Sequence, residues 1–481
     1  MNALIWLRTD LRTHDNPALR AALAHGPTLA LFCATPKQWH AHDDSAGKVD
    51  FWLRNLAQLS DTLDTLNVPL KFLHAPDWHD VIEKIVSFCK THAIDAVHVN
   101  AEWGINERDR DIAVADRLAE EGISWTVHHG ATLLIPGSVL TGQGQCYKVF
   151  TPYARACRER LRVAPPTLIR RPSAHGSAPK DAQGVVVARD EVPVHAQGYP
   201  VPDNAIRAFW PAGENAAAER LSAFCDQAII DYEGARDLPA VEGTSKISAY
   251  LAAGVLSPAQ CLHAALAANH GEIDSGKTGI RTWITELLWR EFYLHLLAAN
   301  PALSKHLPMQ PHTSQVQWRD DAEDLAAWQS GRTGIPIVDA AMRQLLALGW
   351  MHNRLRMVTA MFLSKNLLLD WRRGEAWFMQ HLVDGDLASN NGGWQWSAST
   401  GADAAPYFRV FNPVTQSQRF DPDGTFLRKW LPELAQVDNK KIHQPDAATR
   451  RATGYPDAIV DLSSSRRRAI DAFSGLSRAK Q

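Results

Sequence analysis

The sequence predicts α/β + all-α: an N-terminal, Rossmann-like parallel α/β unit, then a long connector, then a helical unit. Three observations carry this. Short apolar runs alternate with amphipathic stretches only in the first part, a proline-rich segment follows, and strand-like runs vanish from about Ala205. The expected boundaries are 1–132, 133–205 and 206–475, in line with roughly 150 residues per domain in a 481-residue chain.

Candidate strands are Ala3–Leu7, Leu29–Ala34, Leu70–Leu73, Ala96–Asn100 and Trp125–His128, separated by helical patterns such as Ser45–Leu66 and Val81–Thr91. Apolar strands alternating with helices indicate a parallel sheet covered on both faces. No glycine-rich fingerprint follows the first strand, which disfavours a nicotinamide dinucleotide there, and Gly142–Gln143–Gly144 reads as a turn. Between Pro165 and Pro202 lie 7 of the 27 prolines, the mark of an extended connector. Helical periodicities then cover Asn215–Tyr232, Ser257–Ala268, Arg281–Ala299, Val338–Leu348 and Asn353–Asp370.

Bulk properties narrow the class. The hydrophobic fraction of 45% suits packed cores rather than a disordered or fibrous chain. The first apolar run is broken at Arg8 and Asp10, and no apolar run approaches the ~20 residues that span a bilayer, so a soluble, intracellular, cytoplasmic protein is expected. Six scattered cysteines form no C-x-x-C pair, and none lies beyond Cys261. Structural zinc, a disulfide scaffold and a C-terminal iron–sulfur cluster are disfavoured, and no metal is expected. Residues 1–130 carry 12 Lys/Arg against 18 Asp/Glu, a net of −6, leaving 38 against 34, a net of +4, for the rest. A polyanion should prefer the C-terminal part.

Chemistry concentrates in three segments. On the Arg281–Ala299 wheel, Trp283, Glu286, Trp289, Arg290 and Tyr293 share one third of the circumference, opposite Ile284, Leu287, Leu288 and Phe292. Indoles offer flat walls while Glu and Arg offer oriented hydrogen bonds, which suits an aromatic ligand; core tryptophans beside an ion pair are the plain alternative. Asn353, Arg356, Met357, Ala360 and Ser364 share a second face, whose small residues leave room for a bulky cofactor. Asp384–Trp396 packs two carboxylates, three carboxamides, three glycines and two tryptophans into thirteen residues. That is poor material for a dry core, and reads as a loop organised around a ligand.

The segments Trp6-LRTDLRTHDNPAL, Thr282-WITELLWREFY, Gly331-RTGIPIVDAAMRQL, Trp350-MHNRLRM and Asp384-GDLASNNGGWQWSASTGADAAPYFRVFNP resemble the DNA photolyase/cryptochrome family. The likeness is greatest to class I photolyases acting on cyclobutane pyrimidine dimers, and runs along nearly the whole chain. It implies a U-shaped FAD in the helical half. Tyr232, Thr244, Ser245, Lys246, Ile247 and Ser248 match residues holding its phosphates and ribitol, although Thr244–Ser248 alone would pass for a helix cap. Trp283, Glu286, Arg290, Asn353, Arg356, Asp384, Asp386 and Asn390 match the rest of that pocket, with Arg356 and Asp384 expected as a buried, mutually neutralising pair. Asn390 matches the residue facing flavin N5, where a neutral carboxamide accepts a hydrogen bond without adding negative charge.

The reaction implied is light-driven electron transfer from reduced flavin to a flipped-out dimer, ring opening and electron return. Glu286, Trp289, Asn353, Met357, Asn390 and Trp396 match its catalytic positions. Arg236, Arg354, Arg409 and Gln416 match contacts to DNA near the lesion, which would make UV-damaged DNA the partner, with little sequence preference, of a monomeric enzyme. Trp394, Trp371 and Trp318 match a relay carrying electrons from the surface to the flavin. His42, Asn106 and Glu107, with Lys305 from the helical half, match contacts to a methenyltetrahydrofolate antenna; Asn106-Glu-Arg-Asp otherwise reads as a helix start. The rival readings are a cryptochrome light receptor, a (6-4) photolyase, disfavoured by Met351-His352-Asn353-Arg354 where that group has a histidine pair, and a dark flavin oxidoreductase.

Overall fold

The computed structural model describes residues 2–476. Five strands, β1 (Asn2–Leu7), β2 (Thr28–Ala34), β3 (Leu70–His74), β4 (Ile94–Asn100) and β5 (Ser124–His128), form one all-parallel sheet ordered β3-β2-β1-β4-β5. Every β1 residue is buried, as a central strand covered on both faces requires. The crossover helices used below are α1 (Pro17–His25), α2 (Ala46–Asp64), α3 (Trp78–Thr91) and α4 (Ile105–Glu120). One face of the sheet closes over a local core that includes Leu4, Val97, Ile85 and Val114. The other face shares a continuous core with the second half, in which Ile5 and Phe51 join Tyr250, Ile284 and Phe292. That shared core holds the two halves in register.

The expected connector contains a helix, α5 (Phe150–Val163), that buries Phe150, Tyr153, Ala154, Cys157 and Leu161 and packs on α7. Its i, i+3, i+4, i+7 spacing is an amphipathic signature, so this element was legible. Residues 164–203 hold no helix or strand. The helical half then includes α6 (Pro258–Ala268), α7 (Thr278–Ala299), α8 (Pro336–Leu348), α9 (Asn353–Met361), α10 (Trp371–Met379), α11 (Leu387–Ala398), α12 (Pro413–Phe420) and α13 (Leu462–Ser474).

Three expectations are corrected. The pattern over Asn215–Tyr232 breaks into Glu214–Gln227 and a separate turn of helix at Tyr232–Ala235. The expected helix Asn353–Asp370 ends at Met361 and passes into a π turn, Phe362–Asn366, with Leu368 at φ +54°. Tertiary hydrogen bonds account for the break: Asn366 Nδ2 bonds Ser465 Oγ on α13 at 3.0 Å, and Arg319 N–H donates to the Leu368 carbonyl at 2.8 Å. Finally, most of Asp384–Trp396 is the helix α11 rather than a loop. Asp386 caps it by accepting from Ser389 N at 2.8 Å. Gly392 is needed because a Cβ there would stand 2.1 Å from the Tyr293 ring on α7, so the two helices approach through glycine.

Candidate active site

The groups expected around the flavin come from α7, α9, α11 and the segment before α6. Trp283 is buried and its Nε1 donates to Ser245 Oγ at 3.4 Å, tying α7 to the Thr244–Ser248 run. Lys246 sits at φ +49° and pairs with Glu242, its ammonium 5.9 Å from the Trp350 ring. The Arg356–Asp384 pair is present: Nη2 meets Oδ2 at 2.7 Å and Oδ1 at 3.0 Å, while Arg356 Nε holds the Met351 carbonyl at 2.8 Å. The Asp384 side chain is only 2% exposed, with that guanidinium as its counter-charge. Ala360 and Ser364 are both buried, the Ser364 hydroxyl donating to the Ala360 carbonyl. Asn353, at the first position of α9, is exposed.

The polar groups left over suit a flavin dinucleotide. Among the described residues, the hydroxyls of Thr244 and Ser248 form no hydrogen bond, leaving both free for phosphate or ribitol oxygens. His352 Nδ1 accepts the Arg354 N–H at 3.2 Å, which places the proton of the neutral ring on Nε2; that atom is buried and unpartnered. Burial holds the His352 ring near pKa 4 and therefore neutral. Asn390 spends its amide on the Glu375 carbonyl at 3.0 Å, keeping Oδ1 available as an acceptor. Asn391 is engaged instead, between Glu375 Oε1 at 2.8 Å and Gln395 Nε2 at 2.9 Å. A Cβ on Gly393 would meet nothing within 4 Å, so α11 offers open space one residue beyond its contact with Tyr293.

The lesion-side residues gather beside this pocket. Glu286 Oε1 accepts from Arg236 Nη1 at 2.5 Å, Arg354 Nη2 pairs with Asp237 at 2.6 Å, and Arg354 Nη1 reaches Met357 Sδ at 3.8 Å. Burial raises the Glu286 pKa, and Arg236 opposes that shift. Trp289 lies flat on Phe150, with centroids 3.6 Å apart and planes 7° apart, so only one face of its indole remains for a ligand. Phe150 was missed in the sequence, although it opens an amphipathic helix. Arg354 stacks on Phe420 of α12 at 4.6 Å, which brings the helix bearing Gln416 alongside. Arg409 is exposed in the preceding loop, and the Trp396 carbonyl accepts Ala405 N–H to close that loop. Arg290 points elsewhere: Nη1 donates to the Ala131 carbonyl at 3.0 Å, on the side of the inter-half cavity.

Trp394 and Trp371 are buried in one core with Trp318 packed on its edge. A Cβ on Gly374 would come within 2.1 Å of Trp394 Cη2, so α10 and the indole touch directly.

A cavity of about 480 Å³ opens between the halves. Its floor is Trp6–Thr9 at the carboxyl end of β1 and Ala101–Gly104 beyond β4. Open parallel sheets bind ligands at such a point, where strand order reverses. The four antenna residues converge there: Asn106 Nδ2 lies 3.2 Å from His42 Nε2, Lys305 Nζ donates to Asn106 Oδ1 at 2.6 Å, and His42 Nδ1 is 3.8 Å from Glu107 Oε1. Desolvation, helped by Glu102, lifts Glu107 to about 7, and desolvation lowers His42. Ser304 Oγ accepts the Ile105 N–H at 3.3 Å, fastening the helical half to the start of α4. Arg110, also on the wall, bonds Glu102 at 2.7 Å and stacks on Trp6 and Trp78.

A parallel α/β unit sharing its core with a helical unit, with a polar–aromatic pocket in the second and an inter-half cavity at the sheet's switch point, defines the photolyase–cryptochrome class. The chain belongs to the DNA photolyase family: residues 3–172 match the family description "DNA photolyase" and residues 283–475 match "FAD binding domain of DNA photolyase". It is 43% identical to the deoxyribodipyrimidine photo-lyase of Escherichia coli (strain K12), over 99% of each chain. Its fold is similar to a class III photolyase from Agrobacterium tumefaciens (TM-score 0.86, 34% identity, covering 99% of this chain and 98% of that one). A cryptochrome from Synechocystis superposes with the same TM-score at 28% identity, covering 98% and 99%. Backbone shape therefore does not separate repair from light sensing.

Proposed function

We propose that this protein is a light-driven deoxyribodipyrimidine photolyase, a carbon–carbon lyase that returns cyclobutane pyrimidine dimers in DNA to monomers. The observation that carries the reading is the juxtaposition of a Glu286–Arg236–Asp237–Arg354 network, in which the residues after the Tyr232–Ala235 turn bridge α7 and α9, with the half-covered Trp289 and with Met357. Such a site offers a stacking face, a carboxyl group and guanidinium groups to an extruded, damaged base. Full-length identity to a deoxyribodipyrimidine photo-lyase supports the same substrate class.

FAD, when bound, supplies the photoexcited electron. The chain's own residues position and insulate. Thr244–Ser248, Tyr232 and Trp283 would hold the dinucleotide, with the neutral His352 Nε2–H as a further donor. Arg356 and Asp384 neutralise one another beside it. Asn390 offers an uncharged acceptor, Glu286 hydrogen-bonds the lesion, and Trp289 and Trp396 wall it in. Arg236, Arg354, Arg409 and Gln416 take phosphates, so binding should fall with salt and depend little on sequence. Trp394, Trp371 and Trp318 form the relay from surface to flavin. His42, Asn106, Glu107 and Lys305 would seat a folate antenna. The protein acts as a cytoplasmic monomer. Among the described residues no helix is long and apolar enough to cross a membrane.

The test is illumination of the FAD-loaded protein with an oligonucleotide carrying one thymine dimer. Recovery of the intact thymines under blue light, and not in the dark, is expected. Binding without repair would move the assignment to a light receptor.

A further inference from the structure

Phe150, which stacks on Trp289, also lines one end of a second groove. From Phe150, α5 runs back along α7, so that Arg158 reaches Thr285 Oγ1 at 2.8 Å and the Arg281 carbonyl at 3.1 Å. Between the two helices lies an open groove of about 540 Å³, lined by Phe150, Thr151, Arg155, Arg158 and Arg162 on the α5 side and by Thr285 on the α7 side. Arg281 and Thr282 line its continuation. Arg155, Arg162 and Arg281 are exposed, and none has an acidic partner among the described residues. Arg158 alone is spoken for, holding the Ile273 carbonyl at 2.6 Å and standing 3.7 Å from Asp274. Two carboxylates, Asp274 and Glu159, border the groove, against four guanidinium groups.

Three exposed, unpaired arginines beside threonine hydroxyls present a cationic row whose guanidinium groups suit a row of phosphates. Spacing fits as well. At 1.5 Å per residue, Phe150 to Arg162 spans about 18 Å, or about five nucleotides of one DNA strand at ~3.4 Å each. Because Phe150 backs the indole that faces the lesion, that span begins at the flipped base and runs outward.

We infer that the α5/α7 groove, through Arg155, Arg162 and Arg281, grips the phosphate backbone of the duplex flanking the lesion on one side. This rests on the repair reading above but concerns a surface separate from Arg236, Arg354, Arg409 and Gln416. The contact supplies affinity and orientation and no base readout.

The experiment compares the FAD-loaded parent with R155Q/R162Q and with R281Q, by fluorescence anisotropy over a salt series. One probe is a duplex of about thirty base pairs with a central thymine dimer; the other is a pentanucleotide whose central dimer leaves only one or two nucleotides on either side, too few to run the length of the groove. On the long duplex each lost contact should lower the slope of log K against log[salt] by about 1 and weaken binding on the order of tenfold near 0.1 M salt. On the pentanucleotide, affinity and repair per bound complex should match the parent. Duplexes truncated on one side of the dimer should abolish the difference for one side only. Unaltered flavin absorption and thermal midpoint show that the variants fold. Parent-like salt slopes on the long duplex would overturn the inference, as would equal losses on both probes. A parent that fails to prefer dimer-bearing DNA would instead overturn the repair reading.

Discussion

Replacing Lys365 by methionine should stabilise the protein, by an amount that depends on pH. Lys365 lies in the π turn with its side chain fully buried and its Nζ without a hydrogen-bond partner, 3.5 Å from the centroid of Phe473 on α13. Of the charged side chains that bond the backbone of this turn, Arg468 takes the Asn366 carbonyl and Arg319 the Leu367 carbonyl, the latter answered by Asp321 and Asp324. Desolvation lowers the Lys365 pKa from 10.5 to about 7. At 1.36 kcal/mol per pH unit that drop costs at most about 5 kcal/mol.

The sign follows from proton counting. Above about pH 10.4 neither state is charged and nothing is lost. As pH falls from there to about 7, the unfolded chain holds the extra proton and stability drops by about 1.4 kcal/mol per unit. Below about 7 the cost is full and constant. Methionine is unbranched, of similar length and uncharged, so K365M escapes the cost while filling the same space. Thermal midpoints of both proteins, followed by far-UV dichroism between about pH 6 and pH 9.5, should show a gap favouring K365M that narrows steadily as pH rises. A gap independent of pH, or a K365M protein less stable than its parent at neutral pH, would refute the reasoning.

Asp384→Asn keeps the shape but leaves the Arg356 guanidinium, held by the Met351 carbonyl, without its counter-charge. FAD affinity, read by release fluorescence, should fall by ~2–3 kcal/mol, or roughly 30- to 150-fold, with the protein still folded. Asn390→Asp puts a carboxylate where the free Oδ1 now stands, and should lower the flavin's reduction potential in a spectroelectrochemical titration while FAD is retained. Gly374→Ala drives a methyl group into Trp394. A stability loss of ~1–3 kcal/mol and slower photoreduction of oxidised flavin are expected, with repair by chemically pre-reduced enzyme little changed. Lys305→Met removes the cation that holds Asn106 from across the cavity, and should weaken folate uptake without altering repair under light absorbed by the flavin alone.

Much of this was written locally in the chain. The inner strands are legible because a parallel strand buried on both faces must be apolar along its length, and Ala3–Leu7 and Leu29–Ala34 are. The α7 face was legible for the same kind of reason: Ile284, Leu288 and Phe292 are fully buried while Glu286, Trp289 and Arg290 are not. The α5 helix carried its own period as well, but its place in the connector hid it. Tertiary structure decided what local pattern could not. Asp384–Trp396 holds glycines and carboxamides that favour a loop in isolation, yet α11 forms because Asp386 caps it and Gly392 lets Tyr293 come close. The π turn exists because Asn366 and the Leu368 carbonyl find partners about a hundred and about fifty residues away. The convergence of His42, Asn106 and Lys305, and the covering of Trp289 by Phe150, likewise join residues that sequence sets far apart. Periodicity reports which face of an element is buried. Which other element buries it depends on contacts whose energies are set only once the chain has closed upon itself.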